Sequence, residues 1–371
     1  MTCIRLRCAG FSAAPEAEVS HVTAGRGLFL TAPGALEFQS FELAALGPGD
    51  VLVEVAGCGL CHTDVSFFTG AVRTKHPLPL ILGHEISGRV VDAAPAFAHM
   101  VGRDVIVPAV IPCGECDLCL AGRDNACQSQ IMPGNHAHGG FASHVVMPGR
   151  ALVSLPADRG GYALAELSVI ADAVTTPYQA LARAGTSAGD LVVVIGAGGI
   201  GGYAVQIGRA LGARVAAIDI DPARLDQAGD LGAEWRFNAR ETAASDIRKT
   251  LAAETGISTA RWRIFEMSGT AAGQELAWGL MAPAVTIGVI GFTMDKPSVR
   301  LSNLMAFDTT AFGSWGCSPR LYPAVVDLVC SGRVTLRGLI DPHPLSDAPA
   351  LFAEAAAGHH GGVPRRPILI P

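Results

Sequence analysis

A glycine-rich turn between an apolar segment and a helical segment constrains the fold more than any other feature of the sequence. Residues 191–195 are continuously apolar, as in a parallel strand that helices cover on both faces. Gly196, Gly198 and Gly201 follow at once, before a predicted helix over residues 202–211. These glycines allow a tight turn, a close approach of backbone to a pyrophosphate, and close packing of helix on strand. The pattern predicts a dinucleotide-binding βαβ unit.

The residues around this turn predict which dinucleotide binds. Gly199 and Ile200 lie in the glycine turn before the predicted helix, where free N–H groups would face a phosphate. Asp219 follows the second predicted strand, residues 214–218, and would accept hydrogen bonds from the adenosine ribose hydroxyls. Its charge would repel a 2'-phosphate, which favours NAD over NADP. The alternatives are a turn that serves packing alone and a solvated acid at a strand end.

The remaining pattern predicts two domains of different texture, as expected for 371 residues. Strands over residues 261–267 and 285–292, separated by a helix over 271–281, predict an α/β domain with a doubly wound parallel sheet. From about residue 27 to 150, short strands between Gly and Pro turns predict a β-rich, partly open barrel. After about residue 313 the pattern loosens, so we expect the chain to return to the first domain.

Composition excludes several classes of function. Half of the residues are apolar and 16% are charged, which is typical of a well-packed globular protein. A net charge of -6 disfavours nucleic-acid binding. No apolar run approaches the roughly 20 residues of a membrane span. Residues 1–22 are interpreted as an extension rather than a signal peptide, and the clustered cysteines predict metal binding in a reducing cytoplasm.

Four of the ten cysteines lie within 15 residues of sequence. Cys113, Cys116, Cys119 and Cys127 are spaced so that four thiolates could surround one tetrahedral Zn²⁺ and leave no position open. Such a closed site is structural. A redox-active disulfide cluster is the alternative interpretation.

A second, catalytic metal would have to be assembled from distant residues. Cys58 and Cys61 belong to one short motif, and His84 lies between Gly83 and Glu85 in another. From the residues alone, either cysteine could be a ligand. His84 could also be a hydrogen-bonded core histidine.

Together these motifs resemble the zinc-containing medium-chain alcohol dehydrogenases. The motif Cys61-His-Thr-Asp64, the motif Gly83-His-Glu85, the four-cysteine lobe and the glycine turn with Asp219 occur in the family's order. The resemblance covers roughly residues 27–371 and implies a GroES-like catalytic domain interrupted by a Rossmann domain. The implied parts are an extension (1–22), a catalytic domain (23–170) with a zinc lobe at about 112–128, an NAD-binding domain (171–312) and a return segment (313–371).

The resemblance also implies the ligands of the catalytic zinc. It selects Cys61 over Cys58 and makes His84 the second ligand. Asp172 stands where many relatives have a cysteine, and oxygen is an acceptable zinc ligand. Glu85 would be either an exchangeable fourth ligand or a residue just behind the ligands. Asp64 would orient the imidazole of His84.

The implied chemistry is hydride transfer from an alcohol to NAD, with zinc as the Lewis acid. Thr63 would take the alcohol proton, and His62 would lie near the pyrophosphate or the proton exit. Many relatives have a relay histidine where this chain has Ser66, which leaves the proton route open. Backbone groups of Ile290 and Phe292 would meet the nicotinamide carboxamide.

Several longer stretches are similar to the 6-hydroxycyclohex-1-ene-1-carbonyl-CoA dehydrogenase group, among them residues 84–91, 107–113, 171–180 and 299–307. This similarity implies oxidation of a cyclic secondary alcohol that carries a carboxyl or CoA thioester group. The alternative is a broad secondary-alcohol or polyol dehydrogenase. Cations available for a CoA tail are Arg73, Lys75, Arg300, Arg320, Arg365 and Arg366, each of which could instead be a solvated surface charge.

A non-catalytic relative is disfavoured, because the chain keeps Cys61, His84, Asp172 and Thr63. The family also implies a homodimer or a homotetramer, two zinc ions per subunit, and no nucleic-acid or membrane partner.

Overall fold

The computed structural model describes residues 24–358 and 365–371, so the predicted extension over residues 1–22 lies outside the described residues. The strands within them are β1 Ala24–Ala32, β2 Ala35–Glu42, β3 Asp50–Gly59, β4 Leu80–Ile81, β5 Glu85–Ala93, β6 Asp104–Val107, β7 His144–Pro148, β8 Val153–Ser154, β9 Leu191–Ile195, β10 Arg214–Asp219, β11 Trp235–Asn238, β12 Trp262–Glu266, β13 Thr286–Val289, β14 Thr310–Gly313, β15 Ile340–Pro344 and β16 Arg366–Ile370.

The α-helices within the same residues are α1 His62–Phe68, α2 Asp117–Leu120, α3 Thr175–Arg183, α4 Gly199–Ala210, α5 Pro222–Asp230, α6 Ala244–Thr255, α7 Ala271–Gly279, α8 Ser302–Phe307, α9 Tyr322–Cys330 and α10 Ala348–Ala356. Short 3-10 helices connect several of these elements. Of the helices described, none is both long and apolar enough to cross a membrane.

Six strands form the predicted parallel sheet. Their order is β11-β10-β9-β12-β13-β14 and every pair is parallel. Counted from β9, this is the order 3-2-1-4-5-6 of a doubly wound dinucleotide-binding fold. The predicted fold class is therefore confirmed. Helix α4 begins at Gly199 rather than at residue 202, because Gly198 is already its N-cap. Strand β13 ends at Val289, earlier than predicted.

The β-rich part forms a seven-stranded mixed sheet and a three-stranded sheet. The order in the larger sheet is β15-β16-β3-β5-β6-β8, with β7 also paired to β3. Strands β15 and β16 follow β14 in sequence yet belong to this sheet, where Leu369 lies opposite Cys58. The three-stranded sheet has the order β2-β1-β4. The domain bounds at residues 170 and 312 stay predictions.

One hydrophobic core joins the two large sheets. It contains Val192 of β9, Ile106 of β6 and Ile368 of β16, all fully buried. Tyr322 and Val329 of α9 belong to the same core. Packing between the sheets therefore fixes the strands of one sheet relative to those of the other.

We expect Gly201→Ala to destabilise the protein by about 3 kcal/mol. An added Cβ at Gly201 would lie 1.8 Å from the carbonyl oxygen of Gly196, so the glycine turn would have to open. Urea unfolding of the purified variants would measure the change.

Gly202→Ala is the matched control for this prediction. Its added Cβ would lie 3.3 Å from the flexible end of Leu231, and alanine favours a helix over glycine by about 1 kcal/mol. Equal stability of the Gly201→Ala and Gly202→Ala variants would contradict the close contact at the turn.

Candidate active site and metal centres

Asp64 orients two candidate metal ligands at once. It is the third residue of α1, and its carboxylate accepts the backbone N–H of Cys61, the N-cap, at 3.0 Å. The same carboxylate accepts the N–H of Gly83 at 3.1 Å and lies 3.2 Å from Nδ1 of His84. With Nδ1 engaged, Nε2 of His84 is directed towards the cluster described next.

Four candidate ligands converge beside this carboxylate. The donor atoms of Cys61, His84, Glu85 and Asp172 all lie within 4.8 Å of one another. Asp172 Oδ2 is 3.6 Å from His84 Nε2 and 3.9 Å from Cys61 Sγ. Tetrahedral zinc would place such pairs about 3.3 and 3.5 Å apart. The donors are thus spaced slightly wider than around a bound ion, and their types suit zinc.

Asp172 is held in place by a residue that sequence analysis did not single out. It follows the 3-10 helix Ala165–Ala171 directly. The hydroxyl of Thr176 donates to Oδ1 of Asp172 at 2.6 Å. Because Oδ1 is engaged in this way, Oδ2 is the oxygen that faces His84 and Cys61.

Arg366 is a second residue whose role the sequence did not reveal. The sequence offers it as a cation for a CoA tail or as a solvated surface charge. Only 12% of its side chain is exposed, however, and Nη1 donates to Oε1 of fully buried Glu85 at 2.6 Å. A Cβ added at Gly199 would lie 3.4 Å from its Nη2. The guanidinium group therefore lies between the start of α4 and the cluster. Oε2 of Glu85 has no hydrogen-bond partner, which fits either role predicted for Glu85.

Charges in the cluster favour the ionised forms of Cys61 and Asp172, which are the forms that bind a cation, and the protonated form of His84. Burial raises the pKa of Cys61, but Arg366 and His84 outweigh it and lower that pKa below its usual value. Burial also opposes ionisation of Asp172, yet hydrogen bonding and charge interaction with His84 lower its pKa to about 2. Burial lowers the pKa of His84, but Asp64 and Asp172 raise it well above the usual value. A bound cation would replace the proton on His84.

Cys58, the alternative ligand, does not belong to the cluster. Its side chain is fully buried, and burial and then Asp64 raise the pKa of its thiol. Gly83 has a φ of 98°, a left-handed conformation suited to glycine, and a Cβ there would lie 2.7 Å from Cys58 Sγ. Cys58 is therefore a packing residue beside Gly83, which precedes the candidate ligand His84.

Thr63 and His62 lie in the first turn of α1, directly after Cys61. Thr63 is half-buried and His62 is exposed. The hydroxyl of Ser66 donates to the carbonyl oxygen of His62 at 3.0 Å. The position that holds a relay histidine in many relatives is thus occupied by a side chain bonded to its own helix.

The four-cysteine lobe has the dimensions of a zinc site. The Sγ–Sγ distances are 3.5 Å for Cys116–Cys119 and Cys113–Cys127, 3.7 Å for Cys116–Cys127 and 3.8 Å for Cys113–Cys119. Tetrahedral zinc with Zn–S bonds of about 2.3 Å gives S–S distances of about 3.8 Å. A disulfide would need about 2.05 Å, and these four cysteines are free.

Side chains on both sides anchor this lobe to the segment that precedes α9. Arg320 donates to Asp124 at 3.0 Å and to the carbonyl oxygen of Cys119 at 2.9 Å. Asn125 donates to the carbonyl oxygen of Trp315 at 2.8 Å. Arg320, proposed from the sequence as a candidate for a CoA tail, is therefore engaged within the protein.

Asp219 is a buried acid at the end of β10. Its carboxylate accepts the N–H of Ala197 in the glycine turn at 2.8 Å and those of Ile220 and Asp221 at 2.7 and 3.0 Å. Two carboxylate oxygens offer about four acceptor sites, so ribose hydroxyls could still bind. The contact with Ala197 joins Asp219 to the same turn as Gly196, Gly198 and Gly201.

Ile290 and Phe292 lie beyond the end of β13, at the carboxyl edge of the parallel sheet. Fully buried Glu266, at the end of β12, was not predicted to contribute here. Its carbonyl oxygen accepts the N–H of Ile290 at 2.9 Å, and its carboxylate accepts that of Ser268 at 2.8 Å. The sequence signal that could have identified Glu266 is its position as an acid at a strand end, which it shares with Asp219.

Comparison with known proteins gives two family matches. Residues 47–157 match the alcohol dehydrogenase GroES-like domain, and residues 199–331 match the zinc-binding dehydrogenase family. The chain is 33% identical to an L-threonine 3-dehydrogenase of Chelativorans sp. (strain BNC1) over 260 residues, 69% of this chain and 73% of that protein.

Two further similarities agree with these matches. An alcohol dehydrogenase of Geobacillus stearothermophilus is 36% identical over 55% of this chain, and the matched part spans 60% of that protein's length. The crystal structure of galactitol-1-phosphate dehydrogenase from Escherichia coli superimposes with a TM-score of 0.83 at 25% identity, covering 93% of this chain and all of that one.

Proposed function

Since the chain belongs to the zinc-containing medium-chain alcohol dehydrogenases, we propose that it oxidises a secondary alcohol to a ketone with NAD⁺. The observation that carries the proposal is the convergence of Cys61, His84, Glu85 and Asp172 within 4.8 Å. A thiolate, an imidazole and a carboxylate, with one further carboxylate behind them, suit a catalytic zinc site that keeps a position open for substrate.

We assign two zinc ions to each chain. Cys61, His84 and Asp172 would hold the catalytic ion, with Glu85 as exchangeable ligand. Cys113, Cys116, Cys119 and Cys127 would hold the structural ion. The catalytic zinc would supply Lewis acidity that makes the alcohol proton easier to remove, and NAD⁺ would accept the hydride.

The protein's own residues would position the substrate and move its proton. Thr63, half-buried in the first turn of α1, would accept the alcohol proton through its hydroxyl. The hydroxyl of Ser66, at the position of the relay histidine, is bonded to a backbone carbonyl and would not carry the proton. Exposed His62 would instead pass it to solvent. Backbone groups of Ile290 and Phe292 would hold the nicotinamide carboxamide.

The coenzyme is proposed to be NAD rather than NADP. Backbone N–H groups at Gly198, Gly199 and Ile200 would bind the pyrophosphate at the start of α4, with Arg366 as an adjacent cation. The buried carboxylate of Asp219 would accept the ribose hydroxyls and repel a 2'-phosphate.

For the substrate, we favour a cyclic secondary alcohol with a carboxyl or thioester group. The sequence similarity over residues 84–91, 107–113, 171–180 and 299–307 supports it. A broad secondary-alcohol or polyol dehydrogenase is the second candidate. It is favoured by the buried ion pair of Arg366 with Glu85, which removes one cation from those available to a CoA tail.

NAD⁺ reduction by the zinc-loaded protein would separate the two candidates. We expect turnover of 6-hydroxycyclohex-1-ene-1-carbonyl-CoA to exceed that of the corresponding free acid and of simple cyclohexanols, because the thioester provides additional binding groups. Equal or better turnover of the free alcohols would support the second candidate. Absence of NAD⁺ reduction with every secondary alcohol would overturn the proposed reaction itself.

A cytoplasmic location and a homodimer or homotetramer complete the proposal. The eight cysteines among the described residues are free, as expected in a reducing compartment.

A further inference from the structure

Tyr322 is a fully buried tyrosine whose hydroxyl joins three segments of the chain. It is the first residue of α9, beyond the last strand of the parallel sheet. Its hydroxyl donates to the carbonyl oxygen of Ala171 and accepts the N–H of Ala109 at 3.3 Å. These partners are 151 and 213 residues away in sequence. One oxygen atom therefore connects α9, the residue before Asp172, and the segment between β6 and the four-cysteine lobe.

The contact with Ala171 lies one peptide unit from a candidate zinc ligand. The carbonyl of Ala171 and the N–H of Asp172 belong to the same planar peptide group, so a bond that fixes this carbonyl also fixes the backbone entering Asp172. On the other side, the N–H of Thr176 donates to the carbonyl oxygen of Asp172 at 2.8 Å, and the Thr176 hydroxyl binds its carboxylate. Tyr322 supplies the anchor on the upstream side.

The hydroxyl is suited to this task. Burial raises the pKa of Tyr322 well above its usual value, so the group stays protonated and remains a donor. Solvent does not reach it to offer the Ala171 carbonyl another partner, because the side chain is fully buried. A phenylalanine would fill nearly the same volume but leave this carbonyl without the donor.

We infer that Tyr322 is a positioning residue for the catalytic metal: its hydroxyl fixes the Ala171 peptide and thereby sets the direction of the Asp172 carboxylate. The inference rests on the proposed function, in which Asp172 is a zinc ligand. It also links α9, in the return segment, to the metal site.

Tyr322→Phe tests the inference in the full chain, with Co²⁺ substituted for the catalytic zinc. We expect the catalytic metal to be released to a chelator about tenfold faster than from the unchanged protein. We also expect a changed absorption spectrum of the bound Co²⁺, because the geometry of its oxygen ligand changes. Neither measurement depends on turnover.

Tyr162→Phe is the matched control. Tyr162 belongs to the same core, and its hydroxyl accepts the N–H of Leu336 at 3.0 Å and bonds to Thr335 at 3.2 Å, away from the ligands. It should reproduce a loss of thermal stability without altering metal release or the Co²⁺ spectrum.

A parallel measurement on Asp172→Ala distinguishes failure of the role of Tyr322 from failure of Asp172 as a zinc ligand. If Asp172→Ala changes release and spectrum while Tyr322→Phe matches Tyr162→Phe in both, the role of Tyr322 is refuted and the ligand assignment stands. If Asp172→Ala also leaves both unchanged, the ligand assignment fails, and the role of Tyr322 fails with it.

Discussion

Replacing Asp172 with alanine is expected to lower kcat/KM for alcohol oxidation by at least about 10³-fold, since Lewis-acid catalysis contributes several kcal/mol. The variant should contain one zinc per chain instead of two and should bind NADH as tightly as the unchanged protein, because Asp219 and the glycine turn are untouched. Metal analysis, steady-state kinetics and NADH titration would measure these three properties. Asp172→Cys, which supplies the ligand of many relatives, should recover much of the zinc and the activity.

A pair of cysteine variants provides the control for this result. Cys61→Ala should reproduce the loss expected for Asp172→Ala, because the sulfur of Cys61 is within 4.8 Å of the other donors. Cys58→Ala changes a buried cysteine three residues away that packs beside Gly83 and Gly140, and should keep both zinc ions. Two zinc ions and undiminished activity in Asp172→Ala would exclude Asp172 as a ligand.

The second large effect concerns the choice of coenzyme. Asp219→Asn is expected to reduce the ratio of kcat/KM for NAD⁺ to that for NADP⁺ by about 10²-fold or more. A charged acceptor for the ribose hydroxyls contributes about 1.5–3 kcal/mol, and a like charge facing a 2'-phosphate costs several kcal/mol. Both differences act in the same direction on the ratio. Kinetics with each coenzyme at a fixed, saturating alcohol concentration would measure it.

Asp221→Asn is the matched control for the charge itself. Asp221 lies two residues further on, where it caps α5 by accepting the N–H of Ala223 at 2.9 Å. Asparagine caps a helix about as well as aspartate, so this variant should retain the preference for NAD⁺. A preference that is lost in both variants, or kept in both, would argue against ribose recognition by Asp219.

Local spacing explains why much of the fold was predictable. The run over residues 191–195 and the glycines after it specify strand, turn and helix through steric requirements that act within about ten residues. The predicted strand is β9 without change. Helix α4 begins at Gly199, three residues before its predicted start. The low helix propensity of glycine argues against a helix there, but the packing of this turn requires one. For β13, the backbone of Glu266 binds the residues after Val289 and ends the strand early.

Contacts between distant segments explain what the sequence could not provide. Arg366 and Glu85 are 281 residues apart, and nothing near Arg366 in sequence distinguishes it from a surface arginine. Tyr322 likewise shows no local signal of its bond to Ala171. The residues alone do not separate Cys61 from Cys58 as a ligand; the family resemblance selects Cys61, and in the structure Cys61 lies with His84, Glu85 and Asp172. Such roles arise from topology, which brings residues of β16, α9 and β5 close to the candidate metal ligands.

The place of β16 in the larger sheet has a consequence for synthesis on the ribosome. Domains tend to fold as units, in the order in which they emerge, and the parallel sheet is complete once β14 has been made. The seven-stranded sheet cannot be completed until later, because β16 lies between β15 and β3. Strand β16 also carries Arg366, which is paired with Glu85. A growing chain would therefore expose a finished coenzyme fold beside an incomplete metal pocket until residue 370 has left the ribosome.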